Sequence, residues 1–184
     1  LTGKYDYRSD IESIDIKGNL DAYQISLALK AQGKDIPDLD LDTSASGTLE
    51  SIDVHSLVLN TLGGRVSGQV EADWSKLVKW NTTLGLDSIQ PGLQWPEAEG
   101  NISGSITTNG SLTESGGWKV GVPLLAIQGL IRDYPLYING QLDAADINKS
   151  GEPSIHTEGL ELSHGPNNLF VSGSLDKQWG LDVE

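Results

Sequence analysis

The sequence predicts an all-β protein: a long, strongly curved, antiparallel-rich sheet folded over an apolar groove, taco-like or β-solenoid-like, with at most one or two short helical turns. Three observations lead there. Apolar and polar residues alternate with period two along much of the chain, glycine is in excess at 22 of 184 residues, and many of those glycines fall in the apolar rows. Successive side chains of a strand point to opposite sheet faces, so alternation puts one set on each face. A glycine inside a strand marks a bend or a close approach, so a sheet rich in them curves.

The elements follow in chain order. Ile14, Ile16, Gly18, Leu20 and Ala22 share one parity, with Asp15, Lys17, Asn19 and Asp21 between them. From Tyr23 the apolar set moves to odd positions, Ile25, Leu27 and Leu29, which predicts a bulge or bend near Ala22–Tyr23. Asp38-Leu39-Asp40-Leu41-Asp42 reads as an edge strand with charges facing water. Val66, Gly68, Val70 and Ala72 alternate with Ser67, Gln69, Glu71 and Asp73. Trp74, Leu77 and Val78 stand at i, i+3, i+4 and predict one or two helical turns over 73–80. Ile102, Gly104, Ile106 and Gly110 form the next strand, and Tyr134, Leu136, Ile138, Gly140, Leu142 and Ala144 another. Gly33-Lys34, Gly63-Gly64, Pro91-Gly92, Gly116-Gly117 and Gly165-Pro166-Asn167 read as turns. The pattern V-S-G-x-[VL]-x-x-x-W occurs twice, at Val66–Trp74 and Val171–Trp179, which suits stacked similar units.

The apolar rows name a candidate groove lining: Ile14, Ile16, Leu20, Ile25, Leu27, Leu29, Val66, Val70, Ile102, Ile106, Leu136, Ile138, Leu142, Val171 and Leu175. The glycines among them either let the sheet curl or leave its inner face under-filled. One Phe among 184 residues leans towards an aliphatic trough, because a closed core of this size draws much of its volume from aromatics.

Composition removes several functions. Twelve Lys and Arg against 26 Asp and Glu give a net charge of −14, which repels phosphate backbones and anionic lipid surfaces. Nucleic acid is therefore not a partner. With no Cys there is no disulfide framework, thiolate chemistry or Cys-based zinc site. The calcium-like start at Asp38 has Thr43 and Leu49 where the loop needs Gly and Glu. His55, His156 and His164 have no partners at metal or triad spacing in the chain, so no catalytic residue, metal ligand or cofactor is expected. The longest apolar run, Val122 to Ile127, is far below the roughly 18 residues of a spanning helix. Residues 1–184 are expected to form a single segment of a longer repetitive β-groove, because the chain opens at Leu1 in mid-pattern and contains no Met.

The stretch from Val66 through Trp74, Trp80, Leu84, Leu86, Ile89 and Pro91 to Trp95-Pro96, Gly100 and Ile102-Ser103-Gly104 resembles the C-terminal region of the TamB family, within the AsmA-like proteins. The resemblance implies a non-enzymatic protein anchored in the inner membrane of a Gram-negative bacterium and extended through the periplasm. It implies TamA, an outer-membrane barrel of the Omp85 family, as a partner through the parent protein. It also implies phospholipid acyl chains or unfolded β-barrel strands, such as those of autotransporters, as cargo. A closed β-sandwich or β-solenoid module of an extracellular adhesin is the competing expectation, with a dry interior and a binding site in its loops.

Overall fold

A computed structural model describes residues 7–18, 22–33, 37–176 and 180–183. The strands are β1 (Tyr7–Gly18), β2 (Tyr23–Gly33), β3 (Leu39–Thr48), β4 (Ser51–Thr61), β5 (Gly64–Asp73), β6 (Lys79–Ile89), β7 (Gly100–Leu112), β8 (Trp118–Ile131), β9 (Tyr134–Asp146), β10 (Ser154–His164), β11 (Asn167–Leu175) and β12 (Gly180–Val183). They form one 12-stranded sheet in sequence order, every neighbouring pair antiparallel, with β1 and β12 at opposite edges. The sheet is an open meander. At ~4.8 Å per strand it extends roughly 50 Å across the strands.

Short connections explain the order. Leu62 and Gly63 both have positive φ (50° and 68°), as do Arg132 and Asp133 (51° and 66°), so these two-residue turns match the twist of the strands they join. Between β10 and β11 the turn is Gly165-Pro166, with Gly165 at φ 60°.

Among the described residues no second layer covers the sheet. Each strand packs extensively only on its sequence neighbours. Among the described residues the buried apolar side chains are Ala31, Ala45 and Ile89, and no large side chain is fully enclosed. The accessible surface is 12310 Å² for 19.7 kDa, against ~8,600 Å² for a compact globule of that mass. The closed, dry sandwich is therefore not the architecture. In β5 the residues alternate strictly between half-covered and exposed, Val66, Gly68, Val70 and Ala72 against Arg65, Ser67, Gln69, Glu71 and Asp73. Without a second layer, that difference between faces comes from curling of the sheet towards its apolar side.

The register explains the curl. The pairing slips by one residue between Ser44/Ala45 and in Val54–Leu57, Thr107–Asn109, Val122–Leu125 and His156–Leu160. Traced across the sheet, these slips fall on one transverse line. A bulge bends its strand and increases local twist, so bulges in line make a crease. Gly68 and Gly104 lie beside it, and a Cβ on either would strike a carbonyl oxygen of the next strand, Thr83 or Ala126. The glycines thus serve the bend. At Gly47 and Gly110 the space above the backbone is filled by the rings of Tyr23 and Trp80.

The bend expected near Ala22–Tyr23 is present at Ala22, and β1 and β2 are antiparallel neighbours, Ile14 pairing with Leu27 and Ile16 with Ile25, so the pairing itself sets even against odd. Two expectations are corrected. Residues 74–78 are a bend and not a helix. Trp74 folds back there, its backbone N–H donating to Glu50 O and its indole Nε1 to Leu49 O, both at 2.7 Å. The single 3₁₀ turns are Pro91–Leu93 and Pro96–Ala98. Finally, Asp38–Asp42 leads into β3, an interior strand, where Asp40 stands between Lys30 and Asn60.

Candidate functional site

The hydrogen-bonded registers arrange the apolar residues in rows that cross the whole sheet. On one side of the crease runs Tyr23, Gly47, Ile52, Ala72, Trp80, Gly110, Val120, Ala144, Ile155, Leu175. On the other side runs Leu27, Thr43, Leu57, Gly68, Leu84, Ile106, Leu125, Gly140, Leu160, Val171, Val183. Next to it lies Leu29, Leu41, Leu59, Val66, Leu86, Gly104, Ile127, Ile138, Leu162, Leu169.

The residues singled out from sequence fall on these rows or on the two beside them. Ile25 and Val70 lie on a row with Ala45 and Val54, and Leu142 pairs with Val122. Ile102 and Leu136 lie on a row with Ile89, Gly129 and His164. Ile14 and Ile16 are placed by register only, opposite Leu27 and Ile25, and Leu20 lies outside the described residues. Alternation alone missed most of β4, β8 and β10. Their bulges move the apolar set from one parity to the other within a strand, as from Ile52 and Val54 to Leu57 and Leu59. The polar doublet His55-Ser56 is the sequence trace of that switch.

Charge is excluded from this face. From β2 to β8 no Asp, Glu, Lys, Arg or His lies on the apolar rows. In β9 and β10 only Asp146 and His164 do, each at a strand end. Asp146 is engaged by its own turn. Its carboxylate accepts from Ser150 N–H (2.7 Å), Ser150 Oγ (3.0 Å) and Gly151 N–H (2.8 Å). The Ser150 N–H contributes most to lowering its pKa below the ordinary value, and burial opposes it. His164 Nε2 lies 3.0 Å from the Ile131 carbonyl, with its ring edge-on to Tyr134.

The opposite face carries the polar rows. One reads Lys17, Gln24, Ser46, Asp53, Glu71, Asn81, Asn109, Gly121, Asp143, His156, Ser174. A concavity of about 800 Å³ over β1–β6 is lined by Lys17, Gln24, Ser46, Asp53, Glu71 and Asn81 of that row together with Tyr23, Gly47, Ile52, Ala72 and Trp80 of the first apolar row. Here the sheet also assembles what the sequence hid. Ser46 Oγ is 2.8 Å from His55 Nε2, and Asp53 Oδ1 is 3.3 Å from His55 Nδ1. The reading that no histidine has triad partners is corrected: cross-strand pairing of Ser46 with Asp53 and the extra residue at His55 bring them together. His156 Nδ1 likewise meets Ser174 Oγ at 2.9 Å. A Ser-His-Asp triad works from a site closed to water, whereas His55 and Asp53 leave 51% and 53% of their side-chain surface exposed. These contacts act as cross-strand polar pairs. Among the described residues no group of His, Asp and Glu could hold a metal ion, and no helix is long and apolar enough to cross a membrane.

An uncharged apolar face on an open, creased single sheet defines a β-trough protein. The family model described as TamB, N-terminal domain, matches residues 1–184, and the chain belongs to the TamB family. The family is the one its tryptophan-bearing segments resemble. The region differs, since the match is to the N-terminal domain and not the C-terminal region. The repeated V-S-G motif puts Val66 and Val171 on different rows of β5 and β11, so it marks a kind of strand and not a position. The chain is also 25% identical over 174 residues, 93% of its length, to the translocation and assembly module subunit TamB of Haemophilus influenzae. It spans 13% of that relative. No solved structure matches it.

Proposed function

We propose that this segment is a length of conduit in a cell-envelope protein, shielding phospholipid acyl chains in transit to the outer membrane. The observation that carries the reading is the continuous uncharged apolar face, crossed by unbroken rows from β2 to β11. An acyl chain in water loses ~0.8 kcal/mol of favourable burial per CH₂, so cover must be continuous, and no single site can hold so strongly that it stops movement. Rows of interchangeable aliphatics meet both conditions. The candidate lining named from sequence, Ile25 to Leu175, belongs to this surface. In this reading the parent protein lies in the periplasm, is anchored in the inner membrane and works with TamA, and its role in assembling barrel proteins such as autotransporters follows from supplying lipid where they insert. The action is transport and support without catalysis.

The test is a charge placed on either face of one strand. Leu84→Arg puts a guanidinium on the apolar row, and Thr83→Arg puts one on the polar face of the same strand. In cells carrying the intact protein, Leu84→Arg is expected to abolish lipid delivery to the outer membrane, and Thr83→Arg to leave it near normal. Equal outcomes with both proteins folded would sink the reading.

A further inference from the structure

The three apolar rows that cross the sheet contain two aromatic side chains, Tyr23 and Trp80, and both stand on the same row. Each is paired with a glycine of the next strand, Tyr23 with Gly47 and Trp80 with Gly110. A Cβ placed on Gly110 would meet Cζ2, Cη2 and Cε2 of the Trp80 indole before any other atom, so the ring lies over that glycine. The neighbour on the other side of Trp80 is Ala72, and the ring leans to the side that has no methyl. Gly110 does not have the left-handed φ that would itself demand glycine. A Cβ on Gly68, Gly104 or Gly140 would first strike a backbone oxygen of the next strand, and one on Gly47 would strike Ser51 O as well as the Tyr23 ring. Among the glycines of these rows, Gly110 is thus the one whose nearest obstacles all belong to a side chain. No bond fixes that side chain. Trp74 Nε1 donates to Leu49 O at 2.7 Å, whereas among the described residues Trp80 Nε1 makes no hydrogen bond.

An indole standing upright on β6 would project further from the sheet than the Ile, Val, Leu and Ala side chains of the same row. Resting on the reading of the apolar face as an acyl-chain path, we infer that Trp80 sets the clearance of that path at β6–β7 and that Gly110 is the positioning residue that keeps its ring flat. A glycine within a strand marks a place where another group comes close. Here the ring fills the space that the glycine leaves, so the floor stays level from Ala72 to Val120. A level floor suits a sliding chain, because a step on one strand would hold or stop it. A methyl at position 110 takes the volume of the ring and lifts it into the trough. The strand pairing is spared, because the atoms nearest to that methyl are those of the ring and not of the backbone.

The experiment uses the intact protein in living cells, with a photoreactive residue at Ile52 or at Ile155, which share the row of Trp80 and lie on either side of β6–β7. Its readout is the ratio of phospholipid adducts at the two positions. Gly110→Ala is expected to change that ratio by about fivefold or more, the factor for the least cost of a methyl forced into filled space. Lipid gathers on one side of the raised ring and is lost from the other, whereas a general loss of structure would lower both adducts alike. Adding Trp80→Leu to Gly110→Ala removes the ring and should restore the ratio of the unsubstituted protein. An unchanged ratio in Gly110→Ala, an equal fall at both positions, or a changed ratio that Trp80→Leu does not restore would overturn the inference while leaving the conduit in place. Absence of phospholipid adducts at both positions in the unsubstituted protein would overturn the conduit as well.

Discussion

At the scale of single residues, the one carboxylate on the apolar rows among the described residues is tied down. Asp146 is buried at the end of β9, yet three donors from Ser150 and Gly151 hold it ionised and close the turn into β10. Because its folded pKa lies below the unfolded one, the stability it adds is fully present above the ordinary aspartate range. That stability is lost as pH falls through the lowered value. Amide exchange at Ser150 and Gly151, corrected for intrinsic rates, should therefore accelerate on acidification. Asp146→Asn should raise exchange there at neutral pH and abolish the acid dependence. An unchanged rate at Gly151 in the variant would show that the carboxylate does not hold the turn. The neighbouring lesson concerns His55: its triad-like contacts were invisible in the chain because they depend on which residue of β3 faces which residue of β4.

At the scale of elements, the bulges decide both shape and legibility. Strands β5, β7 and β9 keep one parity over the residues read from sequence, and their alternation was open to direct reading at Val66–Ala72, Ile102–Gly110 and Tyr134–Ala144. Strands β4, β8 and β10 take the extra residues of the crease, and β6 takes one between Leu86 and Ile89, so their apolar sets look like noise until the register is known. Sequence periodicity reports which face a residue takes only while the pairing does not slip. The bend at 74–78 fooled the helical reading for a related reason: Trp74 was placed by bonds to Leu49 and Glu50, far away in sequence. The β10 bulge shows how the crease is held. Thr157, 4% exposed, donates from Oγ1 to Gln141 O at 2.6 Å and accepts from Gly159 N–H at 3.1 Å. Thr157→Val keeps the shape but leaves both partners unmatched. It should lower stability in urea by about 1–3 kcal/mol, whereas Thr83→Val, on the exposed face, should change it by less than about 0.5 kcal/mol. Similar losses for the two would mean that the bulge is not held by this bond.

At the scale of the whole molecule, stability and function are drawn from the same arrangement. Each strand depends on its two neighbours, so the sheet behaves as a one-dimensional array whose stability sums over adjacent interfaces. A sheet of this kind does not need a closed core to persist, and leaving the apolar face open is what a moving acyl chain requires. Charge obeys the same division: in this chain of net charge −14 the described residues carry their charges on one face and at the strand ends. The central claim is that the apolar face is occupied by acyl chains along its length. A photoreactive residue placed at Leu27, Leu84 or Ile138 in the intact protein, with Gln24, Asn81 and Asn139 as opposite-face controls, tests it in living cells. The account predicts phospholipid adducts at all three apolar positions and none at the controls. Adducts with barrel-protein strands alone, or no adduct at any apolar position, would contradict it.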